Sequence, residues 1–488
     1  MTDPGLAPDK TRPPAVLFYP RTGVDLHGVN VLFPLSVMLP AAALGEAGIR
    51  TVVIDQRIDT DWRARVTRAV RDGCLFFGIS AMTGPQIRWG LRAAELVREA
   101  APACPIVWGG IHPSLLPDQT LADDRVDSVV VGRGEPAIVE LARARLAGAS
   151  LPPRTVVPQQ NGRALAQPRI RYGECSWETY VTHVTDGARG LSHTTSRGCP
   201  HRCAYCYNGN LNESRWQGCS AEDVLEDLTA LARLGCTGAL LIEDNFFVNR
   251  KRVERVVDGL LERGLGLKIK ADCRADYLLG YDDEFLDRLK RAGFEELFVG
   301  VESGSDRILE LVRKDVTVAQ IVRANRKLAG AGIRPHYSFM AGLPGERPED
   351  VHDTVRLMRQ LKDEHPGAVF GAIKGYVPYP GTEMYDAAVA LGFDPPSSLE
   401  AWSRYDWNGS PRPWLNARHE RLVEKATFVS AGLDTDLVGR SGLSHKPVLW
   451  FFYRLYAHIC RKRCEKRDFG FMPELPILRL AKHVLGGA

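Results

Sequence analysis

Cys199, Cys203 and Cys206 stand in the run Ser196-Arg197-Gly198-Cys199-Pro200-His201-Arg202-Cys203-Ala204-Tyr205-Cys206-Tyr207. That spacing lets one loop fold back and present three thiolates to a single iron–sulfur cluster. A four-iron cluster takes four ligands, so one iron is left open. An open iron can chelate a small molecule through its amine and carboxylate. Two plainer readings compete. A zinc site uses four ligands, usually in two pairs, and no second Cys or His pair lies nearby at suitable spacing. Inert buried thiols rarely gather this densely beside Gly, Pro and Arg.

Such a loop needs a scaffold that brings other loops to it. From residue 191 strand–helix alternation repeats about six times. Strands are expected over 191–196, 239–242, 268–271, 297–301, 336–341 and 370–377, with helices over 221–234, 250–263, 318–331 and 348–361. Six such units predict an incomplete βα barrel with its chemistry at the carboxyl ends of the strands. Those ends are polar: Glu243-Asp244-Asn245, then Asp272 and Arg274, then Glu302-Ser303-Gly304, Gly342-Leu343-Pro344-Gly345-Glu346 and Pro378-Tyr379-Pro380-Gly381-Thr382. Each run alone also reads as a capped turn.

The first 150 residues alternate in the same way. Strands are expected over 16–19, 51–55, 75–80, 106–108 and 128–131, and a helix over 85–100 with Pro85 in its first turn. This predicts a doubly wound parallel sheet whose ligand sits at the carboxyl ends of the strands. Small residues stand there: Ser80 and Thr83, Gly109-Gly110-Ile111-His112-Pro113, and Gly132-Arg133-Gly134-Glu135. Glycine at a strand end lets a bulky ligand approach the backbone, although the tight turns of any flavodoxin-like domain look the same. Pro152, Pro153, Pro158 and Pro168 mark a linker over 147–190. Beyond 395 the periodicity breaks. Trp402, Tyr405, Trp407 and Trp414 cluster, and an aromatic stretch from Leu449 to Arg454 leads into Arg461-Lys462-Arg463. A membrane-surface helix would unite aromatic and basic residues in this way. A helix packed over the barrel mouth with a solvated basic end is the favoured expectation.

Composition narrows the partners. At 488 residues two or three domains are expected. A formal charge of +4 gives no argument for nucleic acid or a membrane. The polar start has no signal-peptide core, and no run approaches the ~18 apolar residues of a membrane span. Eleven cysteines, an odd number and mostly scattered, point to reduced, cytoplasmic usage rather than a disulfide framework.

With Tyr205 directly ahead of the third cysteine, the motif resembles the signature of the radical S-adenosylmethionine (SAM) superfamily. The strand-end glycines upstream are similar to the cobalamin-binding domain of its cobalamin-dependent branch, the class B methyltransferases among them. The resemblance implies an α/β chain in four parts. These are a doubly wound, Rossmann-like cobalamin domain (15–146), a linker (147–190), a partial (β/α)6 barrel (191–395) and a mostly helical C-terminal region (396–488). It implies a four-iron cluster on Cys199, Cys203 and Cys206. SAM would be held by Tyr205, Glu243, Asp244, Arg274, Glu302, Ser303 and Met340. Cobalamin, as methylcobalamin in turnover, would be held by Ser80, Thr83, Gly109, Gly110, His112, Gly132, Gly134 and Glu135. Cobalamin domains of the methionine-synthase type carry Asp-x-His-x-x-Gly. Here Asp25-Leu26-His27 is followed by Asn30 where Gly belongs, so cobalt without a protein imidazole is expected.

The activity implied is methyl transfer from SAM, through methylcobalamin, to an unactivated carbon of a small molecule of natural-product or pigment type. An electron donor of flavodoxin or ferredoxin type would serve it. An oxidative cyclase or ring-rearranging enzyme would use the same cofactors. A cobalamin sensor with an inactive barrel is the non-enzymatic alternative, against which the intact cysteine triad argues. A methylthiotransferase needs an N-terminal cysteine trio, and only Cys74 and Cys104 precede Cys175.

Overall fold

The computed structural model describes residues 11–23, 25, 31–158, 165–405, 410–433, 447–466, 472–473 and 476. Among these, the first sheet has six strands: β1 (Ala15–Tyr19), β2 (Thr51–Asp55), β3 (Phe77–Ser80), β4 (Ile106–Gly109), β5 (Ser128–Gly132) and β6 (Arg154–Val157). Their order is β2-β1-β3-β4-β5-β6, and every pairing is parallel. Strand order reverses between β1 and β3, where sheets of this kind open a ligand crevice. Apolar side chains on alternate faces bury against helices on both sides. Trp62–Arg71 and Pro85–Ala100 cover one face, and Leu35–Glu46 and Gly134–Leu146 the other.

Seven strands make the main run of the second sheet: β7 (Thr182–Thr185), β8 (Ala188–His193), β11 (Gly238–Leu241), β12 (Lys268–Cys273), β13 (Phe294–Glu302), β14 (Arg334–Ala341) and β15 (Val369–Phe370). A short ribbon pairs β9 (Ser196–Gly198) with β10 (Trp216–Gly218), and β16 (Lys374–Gly375) joins β14. From β8 to β15 the strands run parallel in sequence order, as a partial barrel requires, and β7 adds as an antiparallel hairpin. Side chains of β12 and β14 alternate buried and half-buried.

Two expectations need correction. Residues 147–190, read as a linker from their prolines, supply a strand to each sheet, β6 and β7. Pro152 and Pro153 precede β6 rather than interrupt it, and Pro152 offers its carbonyl to the Ser128 hydroxyl at 2.7 Å. Second, the aromatic segment after 395 does not roof the barrel alone. Leu399, Trp402 and Tyr405 share one apolar cluster with Phe77, Ile87 and Trp108 of the first sheet and its helix. Trp402 donates its indole N–H to Gln119 at 2.5 Å, and Glu400 pairs with Arg125 at 2.7 Å. The segment is a strap across the first sheet. Trp414 does reach the barrel, donating to the Gly342 carbonyl at 2.9 Å, and Trp407 lies outside the described residues.

Candidate functional site

The first sheet carries an open slot between its face and the helices Leu35–Glu46 and Gly134–Leu146. Its walls include Gly78, Ser80, Gly109, Gly110 and Gly134. Glycine at 78, 109 and 134 leaves these parts of its wall without side chains. At Gly110 φ is +100°, and a Cβ would stand 2.7 Å from the Ala81 carbonyl oxygen. Ser80 donates to Ser36 at 2.9 Å across the rim. Of the residues expected here, Ser80, Gly109, Gly110 and Gly134 line the slot.

Thr83, His112, Gly132 and Glu135 do not line it. His112 is fully buried, within 3.0 Å of the Thr83 hydroxyl and edge-on to Trp402. Burial without a countercharge lowers its pKa to about 4, so it is a neutral anchor for the strap. Gly132 packs against the Val157 carbonyl of β6. Glu135 leaves the slot altogether. Its buried carboxylate pairs with Arg197 on β9, two residues ahead of Cys199, and approaches Arg133 at 3.7 Å. Burial raises its pKa, but the two guanidiniums outweigh that and hold it below the ordinary carboxyl value. His27 lies outside the described residues.

The cysteine loop hangs between β9 and the short helix Asn208–Leu211. Its turn is closed by the Cys206 amide donating to the Cys203 carbonyl at 3.0 Å. Backbone bonds from Ala204 to Val312 and from Met384 to Ala204 fasten it to the β13 and β16 side. Gly198 enters the loop at φ +80°, and a Cβ there would run into the Arg215 carbonyl. All three thiols are free and half-buried. Burial pushes Cys199 up and Cys206 to about 12, so loading the loop with metal must expel protons. Arg274 donates to the Cys203 sulfur at 3.6 Å. Among the described residues no three His, Cys, Asp or Glu side chains converge tightly enough for one metal ion. Three free, half-buried thiols on one backbone-fastened loop are the donor set that a four-iron cluster takes.

Around this loop the strand ends arrange their charges. Glu243 accepts from the Thr195 hydroxyl at 2.8 Å and from Ser196, bracing the chain that leads into the motif. Asp244 accepts the Gly198 amide at 2.7 Å. Asp272 accepts the Glu243 amide at 3.2 Å, and burial raises its pKa to about 7. Glu302 holds a left-handed φ of +69°, a strain that surrounding contacts must sustain. Its carboxylate accepts from the Tyr205 hydroxyl at 3.0 Å and from the buried Lys314 ammonium at 2.9 Å. Arg274 fixes the same loop by donating to the Lys314 carbonyl at 2.6 Å. Ser303 is fully buried and faces the Thr354 hydroxyl at 3.3 Å. Met340 stays half-buried on β14. Sequence reasoning missed Lys314, because Arg313-Lys314-Asp315 has the look of a solvated charged turn.

Residues 194–358 match the radical SAM superfamily, and residues 23–142 match the B12 binding domain. The chain carries a radical SAM domain and a B12-binding domain. These two domains make a four-iron cluster, SAM and cobalamin its cofactors. It is 28% identical over 304 residues to an uncharacterized methyltransferase of Pyrococcus horikoshii, covering 58% of this chain and 63% of that one. Over 329 residues it is 26% identical to the anaerobic magnesium-protoporphyrin IX monomethyl ester cyclase of Rubrivivax gelatinosus, covering 63% and 57% respectively. Each match thus spans less than two-thirds of the relative's length. In fold it is similar to the radical SAM methyltransferase TsrM of Kitasatospora setae, with a TM-score of 0.69 and 19% identity over 94% of this chain and 100% of that one.

Proposed function

We propose that the protein is a cobalamin-dependent radical SAM methyltransferase acting on an unactivated carbon of a small molecule, of natural-product or pigment type. The observation behind this reading is the Glu135–Arg197 pair. It joins the turn after β5, beside the slot, to the strand entering the cysteine loop. The helix Ile111–Leu115 after β4 also contacts Asn208–Leu211 after the motif. The carboxyl ends of both sheets therefore meet, which is what two cofactors sharing one substrate carbon require.

When bound, the cluster would supply the electron that cleaves SAM, and cobalamin would carry the methyl group. The protein's part is placement. Cys199, Cys203 and Cys206 would hold the cluster, with the Arg274 guanidinium steadying the Cys203 sulfur. Glu243, Asp244 and Asp272 put acidic groups at one side of the mouth, suited to an ammonium. Tyr205, Glu302 and Lys314 form one hydrogen-bonded unit against the loop. Gly109, Gly110 and Gly134 leave room for the cobalamin tail. An electron donor of flavodoxin or ferredoxin type would reach the cluster from outside.

The cyclase relative favours a second reading: the same cofactors, with oxidation or ring closure and no net methylation. Anaerobic incubation of the reconstituted protein with SAM, cobalamin and candidate substrates separates the two. A mass gain of one methyl group supports the first reading; loss of hydrogen supports the second. No 5′-deoxyadenosine under any condition would leave a sensor.

A further inference from the structure

The helix Pro447–Lys466 has two unlike faces. Ala457 and Cys460 are fully buried, and Tyr456 donates its hydroxyl to the Phe428 carbonyl at 2.8 Å, against the helix Ala417–Ala431. On the other side Phe451, Leu455 and Ile459 are 65%, 48% and 36% exposed. A spacing of four keeps them on one stripe. Arg454, His458, Arg461 and Lys462 are exposed beside them. Over 447–466 five Lys and Arg residues stand against one acid, Glu465, so this short stretch holds an excess equal to the +4 of the whole chain.

We propose that this face docks on an anionic lipid surface. An apolar stripe flanked by long cationic side chains suits the boundary between acyl chains and headgroups: the stripe enters, while the cations reach back to phosphates. Near such a surface each cation adds about 1 kcal/mol of attraction. The charge also argues against a second copy of this chain, since two such faces would bring like charges together. With five cations in its 20 residues the helix lies in the interface rather than crossing it. The inference is independent of the reaction proposed above.

The test is flotation of the full-length protein with vesicles of phosphatidylglycerol and phosphatidylcholine, compared with phosphatidylcholine alone. Binding is expected to the anionic vesicles and to weaken as salt screens the charges. Leu455→Glu with Ile459→Glu should lower the partition coefficient by about tenfold or more, and Arg454→Glu should lower it less. These side chains already face solvent, so circular dichroism and melting should stay at wild-type values. Equal binding to both vesicle types, no binding to either, or unaltered binding by the double variant overturns the proposal. So does concentration-dependent dimerisation that the double variant abolishes, because the face would then belong to a second copy.

Discussion

The first sheet makes its site by omission, with Gly78, Gly109, Gly110 and Gly134 leaving an apolar slot. The second sheet crowds its mouth with Glu243, Asp272, Arg274, Glu302 and Lys314, most of them bonded to one another or to the cysteine loop. Both rest on the same strand–helix alternation. A long, largely neutral ligand is gripped by shape, so the protein must withhold side chains. A charged cofactor beside a metal cluster is gripped by electrostatics, and each charge must itself be held.

The largest expected effect separates the halves outright. Cys199→Ala, Cys203→Ala or Cys206→Ala should each abolish the cluster, read as iron and sulfide content, and all SAM cleavage, while cobalamin binding persists. Full cluster content in any of the three would end the assignment. Next is the strap. Trp402 is 1% exposed, and Trp402→Ala should cost about 3–5 kcal/mol in urea unfolding; a loss below about 1 kcal/mol would mean the strap adds little to the first core. The link between the halves is smaller. A double-mutant cycle on Glu135→Gln and Arg197→Gln should give a coupling of about 1–3 kcal/mol, and additivity would remove the pair from the domain contact.

Slot shape is tested at Gly109, where a Cβ would meet only Val130 at 3.8 Å. Gly109→Leu should therefore fill space without straining the backbone and weaken cobalamin at least about tenfold in a spectroscopic titration. Gly110 is a poorer probe, since its Cβ would strike the Ala81 backbone itself. The smallest effect is none: His27→Ala should leave the bound cobalt spectrum unchanged, and a shift would make His27 an axial ligand.

The sequence was most legible where periodicity and glycine placement act locally. All five strands expected before residue 147 exist, as do the first five barrel strands, while the sixth, expected over 370–377, shrinks to the two-residue pieces β15 and β16; Gly109 and Gly110 lie in the slot. What sequence could not show is pairing over long separations. Nothing near Glu135 names Arg197 as its partner, and nothing near Lys314 names Tyr205. The prolines of 147–190 hid β6 and β7, because Pro at a strand's edge and Pro in a linker give the same local signal. Ser303 matched its motif, yet its hydroxyl faces Thr354, since a motif fixes backbone position and not side-chain direction.

The strap also bears on the order of events at the ribosome. Part of the first core, around Trp402, is encoded about 270 residues after β5, so at about 5–20 residues per second it arrives roughly 14–54 s late. Until then the side of His112 that meets Trp402 has no cover from its own chain. A nascent protein in that interval would present an apolar surface to chaperones, and a cut between the two matched domains would leave the first one permanently in that state.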